Sequence, residues 1–542
     1  MLDGCTPWPA EFQARYRSLG CWRGESLGSL PRTWARAYGS RTALVHGEQR
    51  ISYARLAGLV DRMAAGFRAR GLRAGERVIV QLPNIPEFVI VCFALFRLDV
   101  KPVFSLLAHR ADEIRHLAAL SGAVGYVVPG AYRGFDFTAL AGRIATDAEA
   151  LRLVCVADGK LPDAVGGSGA ESVALADVDA DPVELPEPDA SDVAFFLLSG
   201  GTTALPKLIP RTHDDYAYQT RVTAGINCLT ADDVYLAALP VEFNFSWGCP
   251  GVVGTLSNGG TVVLADGPDP ADCFELIERE AVTFTSLVPT AAQLWVEAAD
   301  AVPYQAHSLE LIQIGGAPLH RELAEQILPV FGARLQQVFG MAEGLLTFTR
   351  ADDPPETILT TQGRPVSPYD EIRIVDEDGA QVPVGTAGEL LTRGPYTLRG
   401  YYRAAEHNAR AFTVDGFYRT GDLARLTGTG DLVITGRIKD VIIRGGHKIS
   451  ATELEHHLHA LPAVERVAVV PAPDPYLGER ICLYVRPAGD PPTLAELRRA
   501  LHELGLADYK LPDRLEIVSE LPLTGLGKVD KKALSQAAAA TA

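Results

Sequence analysis

The sequence predicts an α/β protein with a large amino-terminal domain of layered α/β subdomains and a small carboxy-terminal α+β domain. The chain has 542 residues, which is too many for one compact core. Amphipathic runs alternate with short apolar runs along most of its length, and this sequence pattern changes after about Asp422. Several domains are therefore expected.

The first alternation lies between Ser52 and Phe104. The sequence there contains YARLAGLVDRMAAGFRARGL, RVIVQLPN, FVIVCFALFRLDV and PVF, which predict helix, strand, helix and strand. A similar order recurs in EIRHLAALSGAVGYVV and in CFELIEREAVTFTSLVPTAAQLWVEAA. Buried strands that follow helices in this way indicate α/β layers with a largely parallel sheet.

The tail has strands of alternating polarity. DLVITG and KDVIIRGGHKIS alternate apolar with polar residues, ATELEHHLHAL and LAELRRALHELG have helical spacing, and VERVAVVPAPD predicts another strand. This pattern favours a separate small α+β domain.

Composition excludes several classes of protein. The net charge is −17 and the sequence has no lysine-arginine block, so no nucleic-acid partner is expected. The eight cysteines include no Cys-x-x-Cys pair, which argues against a zinc or thioredoxin site and fits the reduced thiols of the cytoplasm. The start of the chain lacks a signal-peptide pattern, and the longest clean apolar run is Phe88 to Phe96, so no membrane segment is expected.

A loop rich in glycine and hydroxyl groups follows the apolar run from Val193 to Leu198. It reads SGGTTALPK, from Ser199 to Lys207. Backbone N–H groups, hydroxyl donors and a lysine charge together suit the phosphates of a nucleotide. The spacing GxxxxGK[ST] is absent, so a kinase or GTPase loop is excluded here, and the alternative is an ordinary polar turn.

Further motifs follow this loop in a fixed order. They are GGAPL at 315–319, FGMAE at 339–343, YRTGD at 418–422, GRIKD at 436–440 and GLGKVDKK at 525–532. The ordered set resembles the acyl-adenylate-forming enzymes, which include acyl-CoA synthetases, luciferases and peptide-synthetase adenylation domains. TPWPAEF, LIPRTHDDY, QQVFGMAEGL, TRGPYTLRGYY and KLPDRLE resemble more narrowly the standalone aryl-acid-AMP ligases of siderophore and peptide-antibiotic assembly.

The resemblance implies that an aryl carboxylate attacks the α-phosphorus of ATP, which gives an acyl-adenylate and pyrophosphate. It implies three catalytic residues: Lys528, Thr203 near the α-phosphate, and Glu343, which would help to bind Mg²⁺. Adenine is expected against GGAPL and the FGM segment, and ribose against Asp422 and Arg437. The implied ATP-binding residues are Ser199, Gly200, Gly201, Thr202, Thr203, Lys207, Gly315, Gly316, Ala317, Phe339, Gly340, Met341, Asp422 and Arg437.

The resemblance also implies a mobile carboxy-terminal domain. Lys439 falls at the position of the interdomain hinge, which divides the chain into an ATP- and acid-binding domain at 1–437 and a domain at 438–542 that carries Lys528. Lys528 would clamp carboxylate and α-phosphate during adenylation. Rotation of the small domain would then admit the phosphopantetheine thiol of an aryl carrier protein.

The segment VEFNFSWGCPG at 241–251 is expected to form the aryl-acid pocket. The expected substrate-binding residues are Phe243, Asn244, Phe245, Cys249, Gly315 and Val338. Relatives that use 2,3-dihydroxybenzoate tend to have Tyr and Ser in place of Phe245 and Cys249, so salicylate leads. Phe243, Glu242, Trp247 and Gly248 are unusual for the family, which leaves anthranilate and 3-hydroxypicolinate open, and plain core packing is the alternative for the aromatic residues.

Other functions are compatible with parts of this pattern. An aryl-CoA ligase would share the first step and use free coenzyme A as acceptor. A non-catalytic adenylate-binding or carrier-docking protein is disfavoured because Lys207, Glu343, Asp422 and Lys528 are all present. Ala204 stands where the family loop usually has glycine, which would strain the loop if that position needs a positive φ.

Overall fold

The computed structural model describes residues 1–159, 161, 169–199, 206–299, 308–444, 447–474, 476–504, 506, 508–524 and 527–540. The predicted α/β architecture is confirmed. Two large, mostly parallel sheets lie at the centre, followed along the chain by two smaller, mostly antiparallel sheets.

The first large sheet, sheet 1, has parallel strands at its centre and antiparallel strands at both edges. Its strands in spatial order are β18 (Arg364–Pro365), β17 (Gly344–Phe348), β16 (Arg334–Met341), β15 (Leu311–Gly315), β14 (Phe284–Leu287), β12 (Val234–Ala237), β13 (Thr261–Leu264), β1 (Thr42–His46) and β2 (Gln49–Ser52).

The second large sheet, sheet 2, is parallel except for the antiparallel pair of β11 and β10 at one edge. Its strands in spatial order are β11 (Leu208–Thr212), β10 (Val193–Leu198), β4 (Lys101–Phe104), β3 (Arg77–Val80), β5 (Gly125–Val128), β8 (Leu153–Val156) and β9 (Glu171–Ala174). A short hairpin of β6 (Ala131–Tyr132) and β7 (Phe135–Asp136) stands apart.

Helices form three layers around these sheets. The middle layer packs against both sheets and contains α4 (Pro86–Arg97), whose sequence PEFVIVCFALFR is apolar on nearly all sides, as expected for a helix that is buried all round. A second layer covers the outer face of sheet 1, and a third covers sheet 2. The helices are α1 (Ala10–Ser18), α2 (Leu30–Tyr38), α3 (Tyr53–Ala69), α4 (Pro86–Arg97), α5 (Ala111–Ser121), α6 (Phe137–Asp147), α7 (His213–Ile226), α8 (Asn244–Gly248), α9 (Gly251–Ser257), α10 (Pro270–Glu280), α11 (Pro289–Ala299), α12 (Arg321–Phe331), α13 (Pro355–Thr360), α14 (Ala405–Ala411), α15 (Ala451–His459), α16 (Leu494–Glu503) and α17 (Lys531–Ala540).

The last two sheets meet at the 3₁₀ turn Ile438–Asp440. Sheet 3 lies before the turn and sheet 4 after it, packed with α15 and α16 around its own apolar cluster. Sheet 3 consists of β19 (Glu371–Val375), β20 (Gly388–Arg393), β21 (Tyr418–Leu426) and β22 (Leu432–Arg437), and sheet 4 of β24 (His447–Ser450), β23 (Val441–Arg444), β26 (Gly478–Pro487), β25 (Val464–Asp474) and β27 (Arg514–Ile517).

The predicted helix, strand, helix and strand between Ser52 and Phe104 are α3, β3, α4 and β4. The sequence pattern changes at about Asp422, before the boundary between sheets 3 and 4. The reason is that DLVITG forms β22, an edge strand that still belongs to sheet 3. In the described part of the chain, no helix combines the length and the hydropathy that a membrane span requires.

Candidate active site

Many of the expected site residues lie where the parallel strands of sheet 1 end, along the edge formed by the carboxyl ends of those strands. Gly315 ends β15, and Phe339, Gly340 and Met341 end β16, its parallel neighbour. The segment 243–249 follows β12 through a short turn. Ligands of open parallel sheets bind at the carboxyl ends of the strands, because neighbouring connections diverge there and leave a crevice.

Gly315 and Gly316 give this edge a bare backbone. A Cβ atom on Gly315 would lie 2.6 Å from the carbonyl oxygen of Val338 and 3.4 Å from a ring carbon of Phe245. Gly316 has a φ of +85°, which favours glycine, and Gly316 and Ala317 are exposed. A flat ring system can therefore approach the main chain here, as the sequence predicts for adenine.

Asp422 and Arg437 lie opposite each other on two neighbouring strands of sheet 3. They are directly paired positions of β21 and β22, and Arg437 Nε donates a hydrogen bond of 2.8 Å to Asp422 Oδ1. Burial raises the pKa of the Asp422 carboxyl, and the guanidinium of Arg437 opposes that change. The pair thus holds a buried carboxylate in one orientation at the site.

Glu343 is buried against two tyrosines. Tyr401 donates a hydrogen bond of 2.8 Å to Glu343 Oε1, and the hydroxyls of Tyr401 and Tyr418 are 2.8 Å apart. Burial raises the pKa of Glu343, while Tyr401 and Arg437 lower it. Sequence reasoning missed Tyr401 and Tyr418, although both lie in motifs that carry the family resemblance, TRGPYTLRGYY and YRTGD.

The ends of the phosphate loop are closed by two hydrogen bonds. The N–H of Ser199 donates to the carbonyl of Lys207 at 3.0 Å, and the N–H of Lys207 donates to Ser199 Oγ at 3.1 Å. The loop joins the antiparallel strands β10 and β11. Lys207 Nζ lies 5.3 Å from the ring centroid of Tyr401, so the loop end and Glu343 share one neighbour. Gly200, Gly201, Thr202, Thr203 and Ala204 lie outside the described residues.

Lys528 reaches the same place from the carboxy-terminal part. Its Nζ lies 4.0 Å from the position that a Cβ atom on Gly316 would occupy. Burial, Arg437 and Lys439 together lower the pKa of Lys528 to about 8, although Asp422 opposes the change. Thr290 Oγ1 donates a hydrogen bond of 3.4 Å to the carbonyl of Gly527. Lys439 itself is exposed in the 3₁₀ turn between sheets 3 and 4.

Most of the expected acid-pocket residues lie together. Phe245, Cys249 and Val338 belong to one apolar cluster, and Gly315 borders Phe245 and Val338. The Cys249 thiol is buried and donates a hydrogen bond of 3.2 Å to the carbonyl of Asn244, and burial raises its pKa. The cluster forms an apolar wall beside the Gly315 edge.

Two of the unusual residues have structural roles. Trp247 is fully buried and packs edge-on against Phe88 and Phe104, so core packing explains it. Gly248 leaves room for the Tyr216 hydroxyl, since a Cβ atom on Gly248 would lie 2.4 Å from that oxygen.

Phe243 and Glu242 line a cavity of about 280 Å³. Tyr132 and Arg110 lie on the same cavity. Burial raises the pKa of Glu242 to about 8.

Comparison with known proteins agrees with this architecture. The AMP-binding enzyme family matches residues 31–402, and the AMP-binding enzyme C-terminal domain matches residues 453–528. A solved structure, the apo structure of MbtA from Mycobacterium smegmatis, is 46% identical, covers 98% of each chain and superposes with a TM-score of 0.75.

Three curated relatives cover nearly the whole chain. A 2,3-dihydroxybenzoate-AMP ligase of Bacillus subtilis is 51% identical, over 99% of this chain and 98% of the relative. A salicylyl-CoA synthase / salicylate adenylyltransferase of a Streptomyces species is 49% identical, over 98% and 97%. A salicyl-AMP ligase / salicyl-S-ArCP synthetase of Mycobacterium tuberculosis is 45% identical, over 98% and 94%. The resemblance to adenylating ligases is confirmed, and the chain belongs to the AMP-binding enzyme family.

Proposed function

We propose that the protein activates an aryl acid with an ortho hydroxyl group, salicylate or 2,3-dihydroxybenzoate, as its acyl-adenylate. The observation that carries the proposal is a convergence. Lys528, the Asp422–Arg437 pair and the bare Gly315–Gly316 edge meet beside the cluster of Phe245, Cys249 and Val338.

In the first half-reaction, a carboxylate oxygen of the acid attacks the α-phosphorus of ATP. The new O–P bond forms as the bond to the bridging oxygen breaks, and pyrophosphate leaves with that electron pair. Lys528 offsets the negative charge that develops between the two anions, and Asp422 accepts hydrogen bonds from the ribose hydroxyls. Lys207 and Ser199, with the loop between them, would bind the outer phosphates.

Glu343 is the residue that we assign to Mg²⁺. Its Oε1 is already oriented by Tyr401, and a single carboxylate suits an ion that otherwise takes phosphate and water oxygens. In the described part of the chain, no group of three or more His, Cys, Asp or Glu residues could hold a metal by itself. When bound with the nucleotide, Mg²⁺ would neutralise phosphate charge.

In the second half-reaction, we propose that the phosphopantetheine thiol of an aryl carrier protein attacks the acyl carbon. A C–S bond forms, the C–O bond to AMP breaks, and the thiol proton is released. The domains proposed for this are residues 1–437 and 438–542, with Lys439 as the hinge, in accord with the change of sheet at Ile438–Asp440. ATP and a reduced thiol are both available in the cytoplasm, where we expect the reaction.

The test is pyrophosphate exchange with a panel of salicylate, 2,3-dihydroxybenzoate, anthranilate, 3-hydroxypicolinate, benzoate and a long aliphatic acid. Exchange that is fastest with an ortho-hydroxylated acid supports the proposal, and preference for benzoate or a long aliphatic acid contradicts it. Because one relative is named as a CoA synthase, transfer to coenzyme A is the second candidate. Comparable rates with coenzyme A and with a phosphopantetheinylated aryl carrier protein would favour that candidate.

A further inference from the structure

A buried chain of hydrogen bonds leads from sheet 2 to the acid pocket. Arg211 is fully buried, and its guanidinium donates to Asp215 Oδ1 at 3.0 Å and to Gln219 Oε1 at 2.8 Å. It also donates to the carbonyls of Ala342 at 3.2 Å and Tyr396 at 3.3 Å. A guanidinium has only donors, so the amide oxygen of Gln219 must face Arg211.

This constraint fixes the next side chain. With its oxygen on Arg211, Gln219 turns its Nε2 toward the pocket segment, where it donates to Asn244 Oδ1 and to the carbonyl of Gly248, each at 3.0 Å. The hydroxyl of Tyr216 donates to the same Asn244 oxygen at 3.0 Å. Asn244 Oδ1 therefore has two donors, and turning the amide over would bring its NH₂ group against the NH₂ group of Gln219.

The donor end of Asn244 is the end that remains for a ligand. Its Nδ2 lies 3.4 Å from the carbonyl of Met341, a long contact that leaves an N–H available at the pocket. The Cys249 thiol is already engaged, because it donates to the carbonyl of Asn244 and lies 3.5 Å from Gln219 Nε2. The pocket thus offers an N–H donor at Asn244.

We infer that Gln219, oriented by Arg211, is a positioning residue that determines which ortho group the pocket accepts. It presents Asn244 as a donor, so the ortho group must be an acceptor. The hydroxyl of salicylate donates a hydrogen bond to its own carboxylate, so its oxygen lone pairs are left to accept a hydrogen bond from the pocket. The amine of anthranilate has a delocalised lone pair and would place N–H against N–H. The inference rests on the proposed function and selects the ortho-hydroxylated acids within it.

The test reverses the chain of hydrogen bonds with one isosteric substitution. In Gln219→Glu, ionised beside Arg211, both side-chain oxygens accept, so Asn244 turns its NH₂ toward residue 219 and its oxygen toward the pocket. Tyr216 can follow because a hydroxyl both donates and accepts. The wild-type ratio of kcat/KM for salicylate over anthranilate should exceed about 100, and Gln219→Glu should lower it at least about tenfold.

Two further variants keep the result interpretable. Gln219→Met removes the constraint without reversing it, so the ratio should fall toward 1 without inverting. Gln313→Glu is the matched control, because Gln313 is also a fully buried glutamine, whose partners are Ser286 and Gln336. Its ratio should stay at the wild-type value.

The inference and the proposed function fail in different ways. Absence of exchange with every aryl acid in the wild type would refute the proposed function. An active wild type whose ratio is unchanged in Gln219→Glu would refute the inference alone. If Gln219→Glu does not fold, Gln219→Met decides, and an unchanged ratio in that variant is equally contrary. Equilibrium binding of the two acids measures the selectivity of the pocket without the chemical step, and it should change in the same direction in each variant.

Discussion

The two sides of the active-site cleft are constructed in different ways. The binding side is held by fully buried hydrogen bonds, as in the 2.8 Å bond from Arg211 to Gln219, and by pairing within continuous secondary structure, as between Asp422 and Arg437 on neighbouring strands. The side that carries Lys528 meets it through more peripheral contacts, among them the 3.4 Å bond from Thr290 to the carbonyl of Gly527 and a 3.1 Å bond from Ser450 to the carbonyl of Thr435.

This difference separates two tasks. Substrate groups need a fixed geometry, which costs little when each polar atom already has a buried partner. A catalytic cation that must later make way for a thiol needs contacts that can be released, and partly exposed hydrogen bonds of this kind contribute little stability each. We therefore expect damage to the binding side to change affinity and damage to the other side to change rate.

The largest effect is expected for Lys528→Ala. Lys528 acts on charge that develops in the transition state, so pyrophosphate exchange should fall on the order of 1,000-fold. The dissociation constant of ATP should change little, because the ribose and adenine contacts belong to the binding side. Lys532→Ala, an exposed lysine of α17, is the control. Exchange near the wild-type rate in Lys528→Ala would remove this residue from the reaction.

Asp422→Ala should have the complementary effect. It removes the carboxylate proposed for the ribose hydroxyls and leaves Arg437 without its partner, so the dissociation constant of ATP should rise about 10- to 100-fold. Titration calorimetry with ATP measures this directly. Asp415→Ala is a suitable control, because Asp415 is a partly exposed partner of Arg373. An unchanged affinity for ATP would contradict the ribose assignment.

The pH dependence of adenylation should report Lys528. The protonated lysine is the active form, and burial lowers its pKa to about 8, so kcat/KM for ATP should fall as the pH rises through about 8. Lys528→Arg retains its charge over this range and should lack the descending limb, whatever its absolute rate. A limb of the same position in both proteins would assign the titration to another group.

The sequence predicts the binding side better than the contact between the two sides. Alternating helices and strands predicted the α/β layers and their largely parallel strands, and Gly315, Asp422 and Lys528 converge although more than a hundred residues separate Gly315 from each of the other two. The direction of the Asn244 amide was not predictable, because it depends on Gln219 and Arg211, whose partners are set by tertiary packing. Trp247 was ambiguous for the same reason, since an aromatic residue in a pocket motif has no sequence signal that tells core from ligand.

The smallest effect is expected at a histidine contact between the two sides. His320, just before α12, lies with its ring centroid 4.1 Å from that of His459 on α15, and His456 is 6.0 Å away. Burial lowers the pKa of His320, as does His456, while Glu322 raises it. Burial, His320, Arg466 and His456 together lower the pKa of His459 to about 3.

A lowered histidine pKa means that this contact favours the neutral rings. Its contribution is therefore present above the ordinary histidine pKa of 6.5 and is lost as the pH falls below it. Because electrostatic effects at partly exposed groups are worth about 1 kcal/mol or less, the rate of adenylation should fall about threefold more than the rate of thioester transfer between pH 7 and pH 5.5. The double variant His320→Gln, His459→Gln should abolish that differential loss, whereas His502→Gln, an exposed histidine of α16, should retain it. Equal losses in all three proteins would show that this contact does not bias the arrangement that brings Lys528 to the site.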